Sequence, residues 1–279
     1  MSTQPSTTEL SNLESESGGG FVINGVDVND NTGFSVSGAG DVNGDGILDV
    51  IIGAPYASPR GIYSGASYVV FGEDSTNAIE LVNIELGTGN GFVINGSFAN
   101  DYSGLSVSGA GDVNGDGLDD LVIGAYTADP DGNDFAGRSY VVFGTTETSP
   151  IWLTGLEAEN GGGFVINGAY QGDYSGISVS GAGDVNGDGL DDVIIGAYGE
   201  ATNGTNAGSS YVVFGTDSTS AIELVDIERG IGNGFFINGS TANDYSGVSV
   251  SGAGDINGDG LDDVIIGAYG EATNGTNAG

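Results

Sequence analysis

Four nine-residue stretches place oxygen-bearing side chains at fixed intervals: DVNGDGILD at 41–49, DVNGDGLDD at 112–120, DVNGDGLDD at 184–192 and DINGDGLDD at 255–263. Positions 1, 3, 5 and 9 read Asp, Asn, Asp and Asp, and position 6 is the Gly that a sharp turn needs. Hard oxygen donors packed into one short loop are what Ca²⁺ requires, with the backbone carbonyl at position 7 as a further donor. The candidate ligands are Asp41, Asn43, Asp45, Ile47 and Asp49 in the first loop, then Asp112, Asn114, Asp116, Leu118 and Asp120 in the second. They are Asp184, Asn186, Asp188, Leu190 and Asp192 in the third, and Asp255, Asn257, Asp259, Leu261 and Asp263 in the fourth. Ile47, Leu118, Leu190 and Leu261 would contribute only their carbonyls, while Val42 and Ile256 are apolar and should point away from an ion.

Electrostatics decides between a metal loop and an ordinary turn. Asn-Gly and Asp-Gly make hairpin turns by themselves, but turn chemistry does not call for Asp at positions 1 and 9 in four copies. Three carboxylates converging without a cation repel by roughly 4 kcal/mol per pair at 4 Å and an effective dielectric near 20. A divalent cation removes that cost. Mg²⁺ suits the loop less well, because it retains several waters and demands a rigid octahedron. Four bound Ca²⁺ would bring the formal charge from −36 to about −28.

The rest of the composition excludes whole classes of function. With 39 carboxylates against three arginines and no lysine, the chain repels nucleic acid and anionic membrane surfaces. Without Cys or His it has no disulfide, no thiolate metal site, no thiol nucleophile and no imidazole base. The chain is therefore expected to be no enzyme. Its start, MSTQPSTTELSNLESE, lacks the basic and apolar regions of a signal peptide, and nowhere do 18 apolar residues run together, so no membrane insertion is expected. Disorder throughout is excluded by 38% hydrophobic residues, 12 tyrosines and 11 phenylalanines. The Ser, Thr and Glu rich residues 1–18 are the exception, a tail expected to be disordered or weakly ordered.

The elements that must position the loops come from a repeat of 71 or 72 residues. GFVING or GFFING recurs with its Phe at 21, 92, 164 and 235, and the acidic stretch follows 20 residues later. The units run over about 21–91, 92–163, 164–234 and a truncated 235–279, each entered through a version of EL-x-x-LE. Within the first unit, β-branched and aromatic runs bounded by Gly, Asn and Asp predict strands at 21–23, 34–38, 50–54 and 68–71. Four short antiparallel strands make a blade, and small residues suit the second strand to the crowded axis. Radial repetition of blades protects sheet edges, so the expected fold is all-β, a β-propeller array of about four blades with the last incomplete. The last unit stops before the SYVVFG strand of its predecessors, as expected of a fragment of a longer array.

GAGDVNGDG followed by VIIGAP and SYVVFG resembles the FG-GAP repeat, the blade unit of the integrin α-subunit propeller, and the similarity covers nearly the whole chain after residue 18. The resemblance implies that each acidic stretch is a Ca²⁺ hairpin between the two innermost strands. It also implies that the GFVING strand is the outer strand of the preceding blade and that a full propeller has about seven blades. Thr32, Ser103, Ser175 and Ser246 stand where the family has the Phe of FG. The GAP triplet survives only at 53–55, with Tyr126, Tyr198 and Tyr269 ending the others.

Strand alternation puts the acidic loops and the EL-x-x-LE connections on one face, and more variable loops at 56–66, 126–138 and 198–208 on the other. A protein or glycan ligand is expected on that second face. Asp30, Asp101, Asp173 and Asp244 recur there and read as turn caps, with a ligand or second cation site as the alternative. Tyr126, Tyr198 and Tyr269 read as rim packing, and Trp152, at an otherwise acidic repeat position, as a local packing substitution. The expected function is a calcium-binding extracellular module for adhesion or surface scaffolding. The alternative is an accessory domain of a larger secreted enzyme of phospholipase or hydrolase type, and a third is a structural filler without ligand.

Overall fold

The computed structural model describes residues 20–75 and 77–271. The tail at 1–18 and the last eight residues lie outside the described residues, as do any expectations placed on them. Three four-stranded antiparallel sheets follow one another along the chain. The first joins β2 (Ser35–Gly40), β3 (Asp49–Ala54), β4 (Ala66–Val70) and β6 (Gly91–Asn95). The second joins β7 (Ser106–Gly111), β8 (Asp120–Ala125), β9 (Arg138–Val142) and β11 (Gly163–Asn167). The third joins β12 (Ser178–Gly183), β13 (Asp192–Ala197), β14 (Ser209–Val213) and β16 (Gly234–Asn238). The fourth shows β17 (Ser249–Gly254) paired with β18 (Asp263–Gly267). These sheets are β-propeller blades, and each outer strand is the GFVIN or GFFIN segment of the next sequence unit. The sequence repeat and the structural blade are thus offset, which ties each unit to its neighbour through ladder hydrogen bonds.

Small side chains decide which strand lies innermost. A Cβ added to Gly109 would sit 2.8 Å from the Gly38 carbonyl oxygen, one on Gly181 2.8 Å from that of Gly109, and one on Gly252 2.7 Å from that of Gly181. Successive SVSGAG strands therefore approach backbone to backbone, as strands crowded around a common axis must. Away from the axis the interblade space fills with larger groups. Between the first two blades Ile51, Val69 and Phe92 meet Leu121, Ile123, Tyr140 and Leu153, all fully buried. Burying each such side chain is worth about 1.5–3 kcal/mol.

The EL-x-x-LE connections hold structure that periodicity alone did not reveal. Each forms a two-residue strand and one helical turn: β5 (Ile79–Glu80) and α1 (Leu81–Glu85), β10 (Ile151–Trp152) and α2 (Leu153–Glu157), β15 (Ile222–Glu223) and α3 (Leu224–Glu228). Leu and Ile at i and i+3 explain the helical turn, since Leu81 with Ile84, Leu153 with Leu156 and Leu224 with Ile227 all enter the core. Each two-residue strand adds in parallel to the outer edge of the preceding blade, with Ile151 opposite Ile94 and Ile222 opposite Ile166. β1 (Ile23–Asn24) receives β5 in the same way. The connections leave and re-enter the blade at the acidic-loop end, but they do not lie on that face as expected. Parallel pairing carries each along the outer edge to the far end, where Trp152 lies opposite Asn95 and Thr154 meets Arg60 of the 56–66 loop, and the last Glu reaches back to a tyrosine in the blade. Glu85 accepts from Tyr68 Oη (2.5 Å), Glu157 from Tyr140 Oη (2.7 Å) and Glu228 from Tyr211 Oη (2.5 Å).

Candidate functional site

Each acidic stretch is the turn between the inner strand of a blade and its neighbour. A bulge at Gly38/Gly40 and its equivalents precedes the turn and sharpens the bend. In the first loop Asp41 Oδ1 accepts from Asp45 N (3.0 Å) and its Oδ2 from Gly46 N (2.9 Å). Asn43 Oδ1 accepts from Asp45 N (2.8 Å), and Asp45 Oδ1 from Ile47 N (2.8 Å). The same bonds recur around Asp112, Asn114 and Asp116, around Asp184, Asn186 and Asp188, and around Asp255, Asn257 and Asp259. Positions 1, 3 and 5 are thereby gathered on one turn. The carbonyls of Ile47, Leu118, Leu190 and Leu261 accept no hydrogen bond among the described residues.

Position 9 is placed differently. Asp49 Oδ2 accepts from Val42 N (2.8 Å) and its Oδ1 from Gly72 N (2.8 Å), at the end of the third strand. Asp120 and Asp192 repeat this with Val113 and Gly144, and with Val185 and Gly215. Asp263 keeps the bond from Ile256 N, and its Oδ1 takes Asn257 Nδ2 (3.2 Å) instead. Burial pushes the Asp120 carboxyl up to about 7 and that of Asp192 to about 6. The charges at positions 5 and 1 add to this, and the two backbone bonds oppose it. Val42 and Val113 are fully buried, as expected of the apolar position 2, whereas Ile256 is exposed.

The donor set is hard oxygen throughout and fits Ca²⁺ rather than a softer metal. Among the described residues no group of three or more Asp, Glu, His or Cys side chains stands as a ready-made cage. The carboxylates instead fold onto the N–H groups of their own turn, which partly offsets their repulsion.

Sequence reasoning missed the role of position 8. Asp119 Oδ2 accepts from Asp41 N (2.6 Å), Asp191 Oδ2 from Asp112 N (2.8 Å) and Asp262 Oδ2 from Asp184 N (3.0 Å), so each loop holds the loop before it. Gly40 lies under the Asp119 carboxylate with φ +80°, and any Cβ there would overlap it. The available signal was LDD against ILD: Leu48 alone breaks the acidic position.

On the opposite face, Asp101, Asp173 and Asp244 are buried and accept from N–H groups three residues back, Phe98 (3.2 Å), Tyr170 (2.9 Å) and Thr241 (2.7 Å). That geometry is a turn cap. Beside these caps runs a belt of aromatic rings that crosses every blade junction. Tyr102 contacts Tyr126 (6.1 Å between centroids), Tyr126 contacts Tyr174 (6.2 Å) and Tyr174 stacks on Tyr198 (5.2 Å). Tyr198 contacts Tyr245 (6.2 Å), which stacks on Tyr269 (5.1 Å). Tyr102, Tyr174 and Tyr245 hold φ between +51° and +54°, a conformation costly for a bulky residue. The recurring DYSG was the overlooked signal, and in the first unit Asn31 stands in that place without a ring.

The FG-GAP repeat signature matches residues 32–70, 103–142, 175–213 and 246–279, in each complete unit the three inner strands with their acidic loop. The chain belongs to the FG-GAP repeat family. Among its relatives, integrin alpha-PS2 of Drosophila melanogaster is 31% identical over 254 residues, 87% of this chain and 16% of that protein. Integrin alpha-5 of Xenopus laevis is 29% identical over 247 residues, 86% of this chain and 20% of the relative. Phosphatidylinositol-glycan-specific phospholipase D of Bos taurus is 27% identical over 207 residues, covering 70% and 22%. The chain thus spans about a fifth of the length of these relatives. This FG-GAP protein is integrin-α-like in its repeats, and no helix among its described residues is long and apolar enough to cross a membrane.

Proposed function

We propose that this FG-GAP array is an extracellular binding module of adhesion or surface-scaffold type that carries one Ca²⁺ in each of its four acidic loops. The observation supporting it most directly is the convergence of positions 1, 3 and 5 on one turn, four times over, beside a position-7 carbonyl that accepts no bond from the described residues. Bound there, Ca²⁺ would neutralise the carboxylates and cross-link the turn at the foot of each inner hairpin. The residues that would hold it are those at positions 1, 3, 5, 7 and 9, the last after its carboxylate gives up a backbone bond. Free Ca²⁺ outside cells is high enough to load loops of modest affinity, which favours an extracellular setting.

Binding, not turnover, is the role this chemistry suits, since the carboxylate clusters are accounted for by the ion and the chain has no imidazole or thiol. The tyrosine belt, with its strained backbone and half-exposed rings, is the surface on which a protein or glycan ligand would rest. Integrin alpha-PS2 is 31% identical over 87% of this chain and the phospholipase D 27% over 70%, so the accessory-domain alternative is not favoured. Calorimetric titration tests the metal assignment: about four Ca²⁺ per chain are expected, with a sharp fall in melting temperature in excess EDTA. Fewer than three ions, or an unchanged melting temperature, overturns it.

A further inference from the structure

The three blades differ at one place on their outer flank, and the difference exposes a cleft. In the second blade Arg138, at the start of β9, donates from Nε to Asn167 Oδ1 (2.9 Å) and from Nη1 to Glu157 Oε1 (3.0 Å). Its charge also acts on the buried cap Asp101. In the third blade Ser209 takes the place of Arg138, bonding Asn238 Oδ1 (2.7 Å) and the buried Glu200 (3.1 Å). The first blade has Ala66 there. What remains is a cleft of about 420 Å³ lined by Asp27, Asp30, Glu85, Asn95 and Trp152 around Ala66.

Two observations beyond the acidic cluster point to a ligand. Asn95 is 7% exposed, lines the cleft and makes no side-chain hydrogen bond among the described residues. Its counterparts are satisfied: Asn24 Nδ2 donates to Glu80 and Asn167 Nδ2 to Glu223 (2.7 Å each), and Asn238 accepts from Ser209. Asn95 has neither partner, since Trp152 stands where the other units have that glutamate and Ala66 where the second blade has the arginine. Second, the same chain displays the occupant such a place takes, because Glu157 and Asn167, the counterparts of Glu85 and Asn95, hold a guanidinium. Trp152 lies directly opposite Asn95 in the strand register and is half exposed, so its indole flanks the opening. Indole beside carboxylates suits a planar cation, which stacks on the ring while its N–H fork reaches the oxygens. Arg60, next in the chain to the lining residue Pro59, donates instead to Thr154 Oγ1 (3.4 Å). Burial raises the Asp30 carboxyl, with the charges of Asp27 and Glu85 adding, as fits an acidic recess without its counter-charge.

We propose that this cleft binds a guanidinium group from outside the chain, in the place that Arg138 fills in the second blade. The inference does not rest on the calcium assignment, since none of its residues belongs to an acidic loop. Trp152 is the sole tryptophan, so its fluorescence reports on the cleft alone. Titration with Nα-acetyl-arginine amide and with agmatine, in millimolar Ca²⁺, should change its emission saturably. Nα-acetyl-lysine amide should bind at least tenfold more weakly, for want of the planar fork. Tighter binding of the arginine amide identifies an arginine side chain of a protein as the source, and tighter binding of agmatine a free small molecule. Asp27→Asn, at an exposed position, should weaken binding several-fold. Ala66→Arg should supply the guanidinium in cis, abolish the response and raise the melting temperature. No saturable change, equal binding of the lysine compound, or a full response in Ala66→Arg overturns the proposal.

Discussion

Asp119 of the second blade accepts a hydrogen bond from the backbone N–H of Asp41 in the first, at 2.6 Å, while its own N–H donates to the Asp41 carbonyl at 3.2 Å. Neighbouring acidic loops are therefore joined as a chain, blade to blade, by a residue that belongs to no candidate ligand set. A charge-assisted bond of this kind contributes roughly 1.5–3 kcal/mol. Asp119→Ala should lower stability in urea by about that amount without removing a Ca²⁺ site. Leu48→Ala, at the equivalent exposed position of the first loop, should change it by less than about 0.5 kcal/mol. Equal effects of the two substitutions would show that the interloop bond contributes nothing.

Asp116→Ala removes the position-5 donor of the second loop only. Neighbouring repeats interact locally, so the expected result is a calorimetric stoichiometry falling from about four Ca²⁺ to about three, with the other loops still loaded. A loss of all binding would mean that the loops fill as one cooperative unit.

Gly124 marks a contact between backbones. A Cβ on it would lie 2.0 Å from the Gly176 carbonyl oxygen of the next blade, and that oxygen belongs to main chain that cannot move independently. Gly124→Ala should cost upwards of about 3 kcal/mol, as overpacking against fixed neighbours does. Gly132, in open space at φ +80°, should cost only about 1 kcal/mol when changed to Ala. Urea melts of the two variants separate interblade contact from simple backbone strain.

Asp101 and Asp173 should set a pH dependence of stability. Burial pushes both carboxyls up to about 7 from an ordinary value of 3.8, against the lowering effect of one backbone bond each. Between those values the folded chain holds protons that the unfolded chain has lost. Their stabilising contribution is complete below about pH 4 and disappears as pH rises through about 7. Asp173→Asn, which keeps an acceptor for the Tyr170 N–H, should therefore stabilise the protein at pH 8 by up to about 4 kcal/mol, three pKa units at most. It should have little effect at pH 4. Parallel melting curves of variant and parent across that range would contradict the assignment.

The repeat, the blade and the turn that gathers positions 1, 3 and 5 were legible in the residues because each is carried by local pattern. Gly at position 6 fixes a turn, β-branched runs fix strands, and Asp and Asn at alternate positions gather their oxygens on one side of that turn. Recurrence four times separated these signals from chance. The same locality explains what went unread. Glu157 and Arg138 are 19 residues apart, and whether a glutamate in that connection meets an arginine, a serine or an alanine depends on which strand lies beside it.

Sequence by itself determined that this chain is an acidic array of propeller units with oxygen-lined loops, since composition, period and turn chemistry act within a few residues. Only the tertiary structure decided that position 8 holds the preceding loop, that position 9 turns toward the strand end, and that Trp152 and Ala66 open one recess beside Asn95, whose side chain makes no hydrogen bond among the described residues. Each of those is a contact between residues about 20 to 80 positions apart. Their geometry follows from blade pairing and interblade packing, which no local pattern of side chains encodes.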